Sequence, residues 1–278
     1  MRDVVIALNK AMDRLLRFLG FVVAIFVLAY VIYITMIWLN DNSNTDIMID
    51  EVIEDTIVSE VSEENNDNIE NINPVSDYQD DYWDYINTPL INVDFTELKN
   101  KNSDTVAWLQ VPGTNINYPV VKTTDNSYYL THSFDKSYNE AGWVFLDYRN
   151  NNDLTSKNNI IYAHSRLNKT MFGSLSNILK SNWYTNKDNH VIKVSTPESN
   201  SLWQVFSVYK IKTETYYLKT IFTNNNDYQN FLDTLKQRSI YDFNTTIDSN
   251  DIILTLSTCY NDDYKTVLHA KLIKKETK

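Results

Sequence analysis

Residues 251–259, DIILTLSTC, decide how this chain is read: an apolar, β-branched run ends in small hydroxyl residues and then in Cys259, immediately before the turn-like YNDD. Such a run, bordered by Asp and Asn, reads as a buried strand whose end opens into a loop, a position from which a side chain can meet a substrate. Working outward, TVLHAKLI (266–273) follows it and NNIIYAH (158–164), HVIKVST (190–196) and LWQVFSVYKI (202–211) precede it. Further upstream INYPVV (116–121), GWVFLDY (142–148) and TVAWLQV (105–111) carry the same signature, the last stopped by Pro112-Gly113. Apolar residues at three- and four-residue spacing predict helices over MFGSLSNILKSNWY (171–184) and NDYQNFLDTLKQRS (226–239), and DFTELKN (94–100) predicts a short one. Many short strands with a few inserted helices and no internal repeat predict a mainly β fold, a closed or nearly closed barrel.

Ahead of that region the chain changes character twice. Residues 18–39, FLGFVVAIFVLAYVIYITMIWL, are 22 residues without a charge, and at about 1.5 Å per residue they span a hydrocarbon core of about 30 Å. Arg2, Lys10, Arg14 and Arg17 precede the run and acids follow it, so an uncleaved transmembrane anchor with residues 1–17 in the cytoplasm and the rest outside is expected. Residues 40–98 hold 17 of the 36 acidic residues and no Lys or Arg. Residues 40–90 accordingly read as a flexible acidic spacer, leaving 91–278 as one catalytic-sized domain. From Lys99 onward 21 basic residues face 17 acidic ones, so the net charge of -11 describes the spacer, and no basic stripe for nucleic acid stands out.

Cys259 is the only cysteine, so no intramolecular disulfide exists and the core alone must hold the fold. A free thiol titrates near 8.5, and a nucleophilic role requires a partner base or cation. Of the four histidines, His164 closes the strand NNIIYAH and is followed by the polar SRLNKT, which puts it at a comparable strand end. His132 follows a tyrosine-rich turn, His190 opens a strand and His269 lies inside one. No Cys/His cluster has metal-ligand spacing, so neither a metal nor another cofactor is expected.

TLSTC matches the TLxTC signature of sortases, and IIYAHSRLNKTMFGSL resembles that family's strand and loop carrying its catalytic histidine. DFTELKNKNSDTVAWLQVPGTNINYPVVKTTDNSYYLTHSF and GWVFLDYRN are similar to class B sortases in particular, as is the helix NDYQNFLDTLKQRS, so the resemblance covers roughly residues 94–278. It implies a sortase-type closed β-barrel and a cysteine transpeptidase in which Cys259 is the nucleophile and His164 protonates the leaving amine. Lys265, in KTVLHAKL, stands where the family carries an arginine, and Arg166 is a second candidate cation. A lysine lacks the two parallel donors with which arginine grips a developing oxyanion, so altered catalysis is expected. The resemblance further implies that Asn126, Leu130, Tyr162 and Ser257 contact a sorting peptide. The implied partners are secreted proteins with a C-terminal sorting motif and a peptidoglycan amine, met at the outer face of the cell membrane. Two rival readings stand beside this one: a hydrolytic cysteine peptidase on the same framework, and a non-catalytic module that binds sorting peptides.

Overall fold

The computed structural model describes residues 2–61, 68–72, 81–212, 214–258 and 264–278. The chain divides into two compact units, Met1–Thr45 and Asp46–Lys278. The described residues of the first unit are all helical, as the first part of α1 (Arg2–Glu54). Its apolar side chains, Phe18, Phe21, Phe26, Val27 and Leu28 among them, are exposed on every side of the helix. A helix that is apolar all round and covered by nothing is a candidate membrane anchor, and α1 is long and apolar enough to cross a bilayer.

The second unit is built from strands β1 (Val58–Glu60), β2 (Ile69–Asn71), β3 (Ile91–Val93), β4 (Thr105–Gln110), β5 (Asn117–Val121) and β6 (Phe145–Leu146), followed by β7 (Asn158–Ala163), β8 (Val191–Ser195), β9 (Ser199–Lys212), β10 (Ile253–Thr258) and β11 (Tyr264–Thr277). Helices α2 (Tyr82–Tyr85), α3 (Thr96–Lys101), α4 (Ser181–Tyr184) and α5 (Asn225–Gln237) are interspersed. The sheet runs β10-β7-β6-β5-β4-β8-β9-β11, and β11 pairs back onto β10, which closes an eight-stranded barrel. Closure removes the unpaired edges that an open sheet would present. Strands β4, β7 and β10 are buried on both faces but for Gln110, because one face fills the barrel and the other is covered by helices and loops. Trp108, Trp143 and Trp203 are fully buried in this core.

Two sequence expectations meet a different structure. The acidic stretch expected as a spacer over 40–90 is regular over much of its described length: α1 continues to Glu54, β1 pairs with β3, and β2 adds to the outer edge of β11. The physical reason is the apolar residues scattered among its acids. Ile49 and Val52 enter the main core, while Tyr82, Tyr85 and Leu90 form a separate cluster with Val191, Leu202 and Ile273. The helix expected over 171–184 is instead a 3₁₀ turn, Gly173–Leu179, followed by the four-residue α4, with Lys180 extended between them. Gly173, Ser174, Ser176 and Asn177 are poor α-helix formers, and Leu175 and Ile178, three apart, suit a three-residue turn. Helix α5 forms as expected, and the Asn224 side chain caps it by accepting from the Asp227 N–H.

Candidate active site

Strands β7 and β10 lie side by side and parallel, with Tyr162 opposite Ser257 and Ala163 opposite Thr258. Their C-terminal ends therefore finish at the same level: β7 delivers His164, and β10 ends one residue before Cys259 in the chain. Residues 259–263, and with them the expected nucleophile Cys259, lie outside the described residues. Lys265, the second residue of β11, is opposite Ile211 of β9 and only 6% exposed.

The His164 ring is held by its Nε2, 2.8 Å from the Leu130 carbonyl oxygen. A carbonyl only accepts, so Nε2 carries the proton and Nδ1 of the neutral ring is left for proton transfer. Two glycines make this geometry possible. Gly142 has φ +59°, and a Cβ there would stand 2.4 Å from the Tyr129 oxygen and 2.8 Å from the Leu130 oxygen that holds His164. A Cβ at Gly173 would meet the Arg166 oxygen at 2.1 Å. The loop after His164 is thus clamped shut, with the Phe172 N–H donating to the His164 carbonyl and Ser165 bridging to Met171. Burial holds His164 below the ordinary histidine range, and the positive charges of Arg166 and Lys265 add to that, against the Leu130 bond and Glu140, which pull the other way.

Beside these strand ends is a cleft of about 280 Å³, and Asn126, Leu130, Tyr162, Ser257 and Lys265 all line it, with Phe145, Tyr217 and Leu218 as its apolar surface. All four residues expected to contact a peptide are therefore brought together with the expected cation. All four also have structural partners: the Leu130 carbonyl holds His164, Ser257 Oγ is 2.9 Å from the Tyr217 hydroxyl, and Asn126 and Tyr162 share one carboxylate. Asp147, fully buried, accepts from Asn126 Nδ2 at 3.0 Å and from the Tyr162 hydroxyl at 2.9 Å. Arg149 grips the same carboxylate through two donors, at 2.8 and 2.6 Å, and also donates to the Leu218 carbonyl. Burial pushes Asp147 upward, but the paired Arg149 outweighs it and the carboxyl lies below its ordinary range.

Asp147, Arg149 and Gly142 were not singled out from the sequence. The signal was present in GWVFLDYRN, where an acid and an arginine two residues apart follow a short strand, but such a pair is more often a surface ion pair. Arg166 is placed beside the His164 loop, while His132 stacks on Tyr128 and His190 is buried against Tyr184. Among the described residues no group of three or more His, Asp or Glu is placed to hold a metal ion.

Residues 109–273 match the sortase domain family. Sortase B of Listeria monocytogenes is 34% identical over 183 residues, which cover 64% of this chain and 74% of that protein. Sortase B of Staphylococcus aureus is 36% identical over 184 residues, covering 65% of this chain and 75% of that one. A solved Staphylococcus aureus sortase B-substrate complex superimposes with a TM-score of 0.61 at 35% identity, covering 65% of this chain and 84% of that one. The eight-stranded barrel, the two strand ends that finish together and these matches lead to one conclusion: the chain belongs to the sortase family, and its relatives are class B sortases.

Proposed function

We propose that this chain is a membrane-tethered cysteine transpeptidase that joins secreted proteins to a cell-wall amine. Supporting this above all is the parallel pairing of β7 with β10, which ends both His164 and the residue before Cys259 beside one peptide-sized cleft. In the proposed reaction Sγ of Cys259 gives its proton to the neutral His164 and attacks a carbonyl carbon of the sorting motif. As the tetrahedral intermediate collapses, the C–N bond breaks, His164 returns the proton to the departing amine, and a thioester remains. A peptidoglycan amine then attacks the thioester carbon, loses its proton to His164 and releases the Cys259 thiol. The buried cation Lys265 stabilises the oxyanion of both tetrahedral species as a point charge. Basic residues ahead of the apolar helix favour a cytoplasmic N-terminus, which leaves the second unit outside the membrane where both substrates reside.

The test is mass spectrometry of the full chain in lipid nanodiscs with a panel of C-terminal sorting peptides and an added amine, alongside Cys259→Ala. A peptide–amine adduct that depends on Cys259 is the expected product. Cleavage without an adduct at any amine concentration reassigns the chain to hydrolysis, and peptide binding without acyl-enzyme reassigns it to a binding module. Lys265→Arg separates a weakened enzyme from an inert one. Losing one oxyanion donor costs other acyl-transfer enzymes about a hundredfold to a thousandfold, so a gain of up to about that size is expected from restoring the fork.

A further inference from the structure

Three of the four histidines take part in no catalytic step, and His269 is the most deeply buried of them. His269 in β11 is fully buried opposite Thr255 of β10. Its Nδ1 is 2.9 Å from the Thr255 hydroxyl and its Nε2 is 2.8 Å from the Tyr209 hydroxyl. The direction of every hydrogen bond around it can be worked out from two backbone carbonyls. Asn158 Nδ2 donates to the carbonyls of Tyr217 and Lys219, at 3.0 and 2.9 Å, and since carbonyls only accept, Asn158 Oδ1 must be an acceptor. The single proton of Thr255 Oγ1 therefore goes to Asn158 Oδ1, 2.6 Å away, and Thr255 must accept from His269 Nδ1–H. Nε2 of the neutral ring accepts from Tyr209, whose oxygen accepts in turn from Tyr216 at 3.0 Å.

This chain of bonds runs in one direction and returns to where it began. It leaves the segment 216–219 through the Tyr216 side chain, runs across β9, β11, β10 and β7 through Tyr209, His269, Thr255 and Asn158, and re-enters the same segment at the Tyr217 and Lys219 carbonyls. Tyr217 and Leu218 line the peptide cleft, and the Leu218 carbonyl between the two Asn158 acceptors is taken by Arg149. Three successive carbonyls, the last two of the short 3₁₀ turn Tyr216–Leu218 and that of Lys219 just after it, are thus held by side chains of the barrel.

Resting on the transpeptidase reading, we infer that His269 is a positioning residue, whose Nδ1–H tautomer locks the 216–219 wall of the cleft and so sets how well the sorting peptide is bound. It touches neither substrate nor reacting atoms and acts through Thr255 and Asn158. Breaking the circuit loosens the wall and weakens peptide binding while the chemistry at the strand ends proceeds.

Thr255→Val has the same shape and removes only the hydroxyl, and Thr255→Ser restores it; both are compared with the unaltered full chain in nanodiscs. Losing this buried link raises KM for a turned-over sorting peptide about tenfold, leaves kcat within about twofold, and speeds amide hydrogen exchange across 215–220. The serine variant returns all three to their starting values, and Tyr209→Phe, which breaks the circuit on the far side of His269, reproduces the valine effect in weaker form. Unchanged KM and exchange in Thr255→Val, or a fall in kcat that tracks lost thermal stability, would overturn the inference. If the unaltered chain turns over no peptide, the transpeptidase reading fails, and the exchange measurement still decides whether the circuit holds the wall.

Discussion

At Gly142 the backbone adopts a left-handed conformation directly beneath the carbonyl that fixes the His164 ring. Alanine there is strained by its positive φ and drives a methyl group into the Tyr129 and Leu130 oxygens, so the carbonyl must move and the imidazole with it. Displacements of about 1 Å at catalytic groups cost on the order of a hundredfold, so Gly142→Ala should lower kcat by about that factor, measured as peptide cleavage per folded molecule. The charges around the same ring set its working pH. Its proton affinity is lowered first by burial and then by Arg166 and Lys265, so the acid limb of kcat/KM should fall below the ordinary histidine value of about 6.5. Removing a cation raises the affinity for a proton, so Lys265→Met moves that limb to higher pH; Glu140→Gln removes an anion and moves it lower. A pH–rate profile in which both variants shift the limb the same way would contradict this account.

The strands of the barrel were legible because each contains an apolar run with a clear border, and the resemblance of TLSTC and IIYAH pointed to the ends of two of them. Their parallel adjacency was not legible, since pairing between residues some 95 positions apart leaves no local periodicity. The 173–179 segment misled because spacings of three and four residues do not separate a 3₁₀ turn from an α-helix over so short a run. The acidic stretch misled in another way: its composition resembles a disordered spacer, whereas its few apolar residues find partners on distant strands. Leu90 is completely buried against the cluster of Val191, Leu202 and Ile273, and the Tyr85 hydroxyl is 2.9 Å from His190 Nδ1. Leu90→Ala should therefore destabilise the second unit by about 2 to 4 kcal/mol in urea denaturation, as buried leucine truncations do. In a true spacer the same change would leave the midpoint where it was.

At the scale of the whole molecule, two buried histidines and the half-buried His164 act together on the pH dependence of stability. His164, His190 and His269 all have proton affinities lowered by burial first, and His269 is carried down to about 3. A histidine that binds protons less well folded than unfolded contributes stability that is fully present above about 6.5, the unfolded value, and is lost as pH falls toward the folded value. For His269 that window runs from about 6.5 down to about 3. The fall from pH 7 to pH 5 then removes about 2 kcal/mol through this one ring, with His164 and His190 adding to the loss in the same direction. Carboxylates work outside or against this window. Asp147, held low by Arg149 despite its burial, loses its contribution only below the ordinary aspartate range, while Asp251, raised by burial, favours the folded state as pH drops toward that range. Urea unfolding followed through the buried tryptophans should therefore show stability declining between pH 7 and pH 5, and His269→Gln should flatten the slope by about 1 kcal/mol per pH unit over that range. A slope indifferent to that substitution would mean that the ring is protonated in the folded protein, and the same proton on Nε2 would leave the Tyr209 hydroxyl without its acceptor and break the circuit that holds the cleft wall.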